Sequence, residues 1–221
     1  MNSLIEPHGG TLINRIVEGK ERDALLAKAG TLPSIELDGW GLSDVEMIAI
    51  GGFSPLEGFL NKKDYEGVVE KARLSNGVVC PLPVTLAVSE EQAKELKGDV
   101  ALKAGETVAA GLHVEESFRP DKNREAQQVF RTTENAHPGV ARLQAIGAVY
   151  LGGKVSVLNR PRSKGFEPYR LDPRDTREVF ARHGWQRVAA FQTRNPIHRA
   201  HEYLQKCALE MCDGMLLHPI I

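Results

Sequence analysis

Ten consecutive residues, Gln192-Thr193-Arg194-Asn195-Pro196-Ile197-His198-Arg199-Ala200-His201, gather two guanidiniums, two carboxamides, a hydroxyl and two imidazoles with no carboxylate among them. Such a set of donors and cations suits a small oxyanion or the phosphates of a nucleotide. The Arg194 fork matches two oxygens of sulfate or phosphate at once, and Gln192 and Asn195 add neutral donors. His198 and His201, three apart, fall on one side of a helix and can point together at a phosphate. The pattern predicts Asn195 as N-cap and Pro196 as the first helical residue. A helix start of this kind offers an anion unpaired N–H groups and the positive end of the helix dipole. Taken singly, a His pair at this spacing is usually a half-exposed helix edge, and a lone loop Arg is usually a solvated charge. Their coincidence on one turn favours an anion or nucleotide site. A zinc site is disfavoured, because the metalloprotease pattern sets two His four apart around a Glu. No Gly-x-x-x-x-Gly-Lys-Ser/Thr loop occurs, so the nucleotide would not be held as in P-loop proteins.

The elements that must position this turn follow from periodicity. Residues 187–191 read as a buried strand, 196–212 as a helix and 215–221 as a second strand, a βαβ unit that starts a parallel sheet. Ile197, Ala200, Leu204, Cys207, Ala208 and Met211 recur at helical spacing and predict one buried stripe. Asp172-Pro173 opens an earlier helix that runs to about His183 and stops at Gly184. The turn at 192–201 then lies at the carboxyl end of the first strand, where open α/β sheets bind ligands.

Before the Asn159–Gly165 link the grammar differs. Residues 1–165 read as short strands punctuated by Gly and Pro: a strand at 79–88, a strand-turn-strand over 100–108, and a hairpin over 148–158 turning at Gly152-Gly153. Short helices are predicted at 19–29, 62–73, 89–97 and 137–146. The chain therefore divides into a mostly β domain at 1–165, expected to fold by itself, and an α/β segment at 166–221.

Composition excludes several classes of function. With a formal net charge of -1 over 221 residues, no electrostatic footprint for nucleic acid or an anionic membrane exists. No apolar stretch approaches a membrane span. Met1 to Thr11 lacks a basic region followed by an apolar run, so no signal peptide is expected. Three cysteines, Cys80, Cys207 and Cys212, do not make a disulfide framework. A reduced, cytoplasmic setting is the simple expectation.

Gln192 to His201 resembles the hallmark of the ATP sulfurylases, Q-T-R-N-P, an apolar residue, then H-R-A-H. Further landmarks lie in the family's order: Gly52 to Leu60 around F-S-P-L-x-G-F, Thr132 to Val140, Val149 to Gly153, and Leu217-His218-Pro219. The resemblance covers nearly the whole chain and is to the N-terminal part of such enzymes. It implies a PUA-like domain at 1–165 and, at 166–221, the start of a Rossmann-like nucleotidyltransferase domain. It implies adenylyl transfer from ATP to sulfate, giving adenosine 5'-phosphosulfate and pyrophosphate, with Mg2+ arriving on the ATP and no metal held by the protein. Gln192, Thr193, Arg194 and Asn195 are then expected to contact sulfate and ATP, with Thr193, Arg194 and Asn195 catalytic, and His198 and His201 to face the ATP phosphates. The full-length form is expected to be a homo-oligomer. His137, beside Pro138, is expected to cap or pack rather than to catalyse. The family's second motif, G-R-D-H-A-G, is absent from these 221 residues, so little activity is expected of them alone. Two alternatives stay open: a PUA-like binding module, and a nucleotidyltransferase with another acceptor.

Overall fold

The structure, a computed structural model, describes residues 4–161 and 165–220. Residues 1–3 of the expected N-terminal domain, 162–164 of the link and Ile221 of the last strand lie outside the described residues. Two compact units result: one is Pro7–Gly165, the other joins residues 4–6 to 166–220.

The first unit is built on one sheet. In chain order it contains α1 (Gly19–Ala29), β1 (Ser34–Glu36), α2 (Gly39–Ala49), β2 (Gly58–Phe59), α3 (Lys62–Lys71), β3 (Leu86–Val88) and α4 (Glu90–Glu95). Then follow β4 (Gly98–Ala104), β5 (Thr107–Phe118), α5 (Lys122–Glu125), a π-helical stretch at Ala126–Phe130, α6 (Pro138–Ala145) and β6 (Val149–Val157). The strand order is β1-β4-β5-β6-β2, with β3 also paired to β6. Most pairs are antiparallel, but β1 runs parallel to β4. Leu102, Leu112, Tyr150, Leu151, Val155 and Val157 are fully buried on these central strands and pack against Val45 and Ile48 of α2. Each such aliphatic side chain contributes roughly 1.5–3 kcal/mol by leaving water.

Several local expectations are corrected. Gly152-Gly153 is not a turn; β6 runs through it from Val149 to Val157. A Cβ on Gly153 would lie 2.0 Å from the His113 carbonyl oxygen of β5, and one on Gly152 2.7 Å from that of Leu60. The glycines let neighbouring backbone crowd onto β6, where β5 bulges between Val114 and Glu116. Of the strand expected at 79–88 only Leu86–Val88 forms, because Pro81 and Pro83 have no N–H to give a ladder. Helix α2 escaped prediction: its glycines hide the pattern, and Asp38 starts it by accepting from the Gly41 N–H at 2.8 Å. His137 does cap α6, accepting from Gly139 N at 3.2 Å, and its ring lies 5.1 Å from that of Phe130.

The second unit carries a 3-10 turn at Glu167–Tyr169, then α7 (Pro173–His183), β7 (Val188–Thr193), α8 (Arg199–Leu209) and β8 (Gly214–Pro219). Helix α7 opens on Asp172, whose N–H donates to Asp175, and stops at Gly184 in the left-handed region, as expected. β7 and β8 pair in parallel from Val188↔Gly214 to Thr193↔Pro219. Two features fix that register. The Asp213 carboxylate accepts from the N–H groups of Gln186 at 2.9 Å and Arg187 at 2.8 Å, and these bonds hold its carboxyl below the usual range. The Trp185 ring packs where a Gly214 side chain would stand, 2.3 Å from an ideal Cβ.

Candidate anion site at a strand-to-helix turn

Parallel pairing brings Gln192 and Thr193 to the last two positions of β7, opposite His218 and Pro219 of β8. The sequence pattern set them on the turn itself; the strand instead runs two residues further. Beyond it, the Thr193 hydroxyl ties the chain back, accepting from Asn195 N at 3.0 Å and donating to Asn195 O at 3.0 Å. These two hydrogen bonds to one residue close a tight turn with Arg194 at its apex. Thr193 is 9% exposed, so its hydroxyl is occupied in shaping the turn.

The helix start also differs from expectation. Asn195 is not the N-cap and Pro196 is not the first helical residue. Asn195 is held by Thr193, the chain stays extended to His198, and α8 begins at Arg199. His198 caps it, Nδ1 accepting from Ala200 N at 3.3 Å. The helix-end N–H groups therefore lie at 199–201 rather than at 196–198. His198 and His201 come together as the spacing predicted, their rings stacked with centroids 3.9 Å apart. Phe191 of β7 meets His201 edge-on at 5.4 Å.

The turn is cationic. Among the described residues the Arg194 guanidinium makes no hydrogen bond or ion pair, and it is exposed. Glu202, the nearest carboxylate in sequence, is engaged by Lys206 at 2.6 Å, which lowers its pKa and leaves less negative charge to oppose an anion. Gln192, Asn195, His198 and Arg199 are exposed as well. Among the described residues, His201 Nδ1 and Gln205 Nε2, one turn apart on α8, lie buried without a hydrogen-bond partner. Gln205 was missed in the sequence because an amide on a helix carries no signal by itself. His218 was noticed only as part of a landmark; its place opposite Gln192 follows from strand register. Among the described residues no three His, Cys, Asp or Glu side chains gather to hold a metal.

Of the buried stripe expected on the helix, Cys207 and Ala208 are half-buried and the rest is exposed. Ile197 is 44%, Leu204 56% and Met211 73% open to solvent. Among the described residues of this unit α8 packs on β7 and β8, and two strands cannot bury a helix of three turns.

The family model described as PUA-like domain matches residues 5–160, and that described as ATP-sulfurylase matches residues 167–221. The chain belongs to the PUA-like domain family, and its last quarter is similar to the ATP-sulfurylases. It is 51% identical over 220 residues to a sulfate adenylyltransferase of Synechococcus sp. (strain JA-3-3Ab), covering 98% of this chain and 56% of that protein. A sulfate adenylyltransferase of Halothermothrix orenii is 50% identical, covering 99% and 58%. A probable bifunctional SAT/APS kinase 2 of Sorangium cellulosum is 52% identical, covering 99% and 38%. The chain thus spans about two-fifths to three-fifths of the length of these relatives. Among solved structures, the hexameric APS kinase from Thiobacillus denitrificans superposes with a TM-score of 0.76 at 30% identity, covering 98% of this chain and 40% of that one. The fold is a PUA-like domain followed by a strand-helix-strand of Rossmann-like type. Among the described residues no helix is long and apolar enough to cross a membrane.

Proposed function

We propose that this chain supplies the sulfate- and ATP-binding turn of a sulfate adenylyltransferase, which forms adenosine 5'-phosphosulfate and pyrophosphate. The observation that carries the reading is an unpartnered Arg194 at the apex of a turn that leads into the stacked His198 and His201. The turn sits in a chain about half identical, along nearly its whole length, to proteins named sulfate adenylyltransferase.

In the reaction a sulfate oxygen bonds to the α-phosphorus of ATP and the bond to the bridging oxygen of pyrophosphate breaks. Both reactants are anions; at 4 Å, each pair of unit charges repels by about 1 kcal/mol in water and about 4 kcal/mol at an effective dielectric of 20. Sulfate has no proton to give up, so positioning and charge neutralisation are what the protein must supply. Arg194 holds sulfate by its fork beside the α-phosphate, and Gln192, at the strand end, donates to a sulfate oxygen. Asn195 orients an oxygen through its carboxamide, and Thr193 keeps the turn closed so that Arg194 and Asn195 point together. His198 and His201 donate to the phosphates that leave. Magnesium enters as part of the MgATP substrate, carried on phosphate oxygens.

The mostly β unit, 1–165, and the catalytic segment from 166 onward act as separate domains in this reading. The longer enzyme works as a homo-oligomer on small anions in the cytoplasm, with neither nucleic acid nor membrane as partner. The hexameric state of the Thiobacillus denitrificans APS kinase supports the oligomer. The test joins this chain to the C-terminal part of the Halothermothrix orenii sulfate adenylyltransferase and measures adenosine 5'-phosphosulfate formation. Sulfate-dependent product is expected, and loss of it on Arg194→Ala with an unchanged circular dichroism spectrum. Product formation indifferent to Arg194→Ala would overturn the assignment.

A further inference from the structure

The unit Pro7–Gly165 contains a cavity of about 570 Å³, within the range of roughly 300–1,000 Å³ typical of small-molecule sites. Two landmarks that the proposed reaction does not use converge on it, although they lie some eighty residues apart in sequence. The turn Gly52–Leu56 forms part of one wall, and Gly139, on the His137-capped helix α6, forms part of another. The Pro81–Thr85 segment, Phe130 and Tyr150 complete an apolar and aromatic lining.

Three charged side chains that matter to ligand choice reach this cavity: Asp44, Glu125 and Arg142. Arg142 is already neutralised, since it pairs with Asp38 at 2.9 Å and lies 4.5 Å from the Trp40 ring centroid. Glu125 is also engaged: its Oε2 accepts from the hydroxyls of Tyr65 at 2.8 Å and Tyr150 at 3.1 Å. Asp44, on α2, makes no hydrogen bond or salt bridge among the described residues. A carboxylate beside apolar walls without a partner carries a desolvation cost that a cation would offset. Burial pushes this carboxyl up to about 6, although the charge of Arg142 nearby pulls it the other way.

We propose that the cavity binds a small organic amine, its apolar body against Phe53 and Phe130 and its ammonium group paired with the Asp44 carboxylate. Among the described residues, an anionic ligand would meet an Arg142 already held by Asp38 and a His8 ring already engaged with the Val79 carbonyl. A neutral apolar ligand would fill the volume and leave Asp44 uncompensated. The aromatic rings add attraction for a cation where their faces are open. The site lies wholly within the first unit and is independent of the adenylyl-transfer reading.

The experiment titrates the 221-residue chain near pH 8 with three probes of similar shape: 2-phenylethylamine, 2-phenylethanol and 3-phenylpropionate. Ligand-observed NMR and calorimetry read the affinities. The amine is expected to bind about ten-fold tighter than the alcohol, with the carboxylate weakest. Asp44→Asn should abolish the preference for the amine while the melting temperature stays level or rises, because the variant removes a desolvated charge. Asp44→Ser serves as a second neutral replacement should Asn disturb α2. Equal affinity for amine and alcohol, tightest binding of the carboxylate, a preference that survives both variants, or no binding at millimolar probe would each overturn the proposal.

Discussion

Replacing Tyr65 by Phe should cost more stability at pH 8 than at pH 4. Tyr65 and Tyr150 both donate to one oxygen of Glu125, a carboxyl only 5% exposed. Their rings stack edge-on at 5.6 Å, and Phe118 completes the cluster. Burial raises the Glu125 pKa above its ordinary value of 4.5, and the two tyrosine bonds and Lys122 partly pull it back. A raised carboxyl means that the fold favours the protonated form. The stability it contributes is full below the ordinary value and is lost as pH rises through the folded pKa. The Tyr65→Phe ring keeps its packing, so the substitution isolates the hydroxyl. On the alkaline side of the raised pKa the lost bond is to a charged carboxylate, costing about 1.5–3 kcal/mol; on its acid side it is a neutral bond, costing about 0.5–1.5 kcal/mol. For a chain of this size each kcal/mol moves the melting temperature by roughly 2–4 °C. The shift at pH 8 should therefore be about twice that at pH 4, read by urea and thermal unfolding of both proteins in the same buffers. An equal cost at the two pH values, or a larger one at pH 4, would refute the reasoning.

Three further outcomes are expected. Thr193→Val removes the hydroxyl that closes the turn, and should weaken sulfate or pyrophosphate binding about ten-fold, roughly 1.4 kcal/mol; Thr193→Ser should restore it, and calorimetry distinguishes the two. His198→Ala removes the cap on Ala200 N–H and should cost the second unit about 1 kcal/mol, measured as faster amide exchange in α8 with β4–β6 unchanged. Hydrogen exchange on the unmodified chain should show strong protection across the sheet of residues 7–165 and weak protection over 187–220, because the apolar side of α8 is open; equal protection in both units would contradict this.

Much of this was legible in the sequence where one residue type forces one geometry. Asp172-Pro173 and Gly184 bracket α7 because an acidic cap, a fixed φ and a left-handed stop each have few alternatives. The βαβ order was legible from periodicity, and the site turn from its concentration of donors. What escaped depended on contacts distant in sequence. Gly152-Gly153 carries the signature of a hairpin turn, yet it serves backbone crowding by β5 and the Leu60 segment, which no local pattern records. The start of α8 moved from Pro196 to Arg199 because Thr193 captures Asn195 first, and two caps in competition cannot be ranked from spacing alone. Glu125 was unread for the same reason: its tyrosine partners stand 60 and 25 residues away.

The most direct test of the account is the sulfate dependence of adenosine 5'-phosphosulfate formation by Arg194→Lys in the Halothermothrix chimera. Lys keeps the charge and loses the fork. Two charge-assisted bonds of about 1.5–3 kcal/mol each reduce to one at best, so kcat/KM for sulfate should fall by about ten-fold to a hundred-fold. A Lys variant within a few-fold of the parent would show that positive charge alone suffices, and would contradict the role assigned to the Arg194 fork.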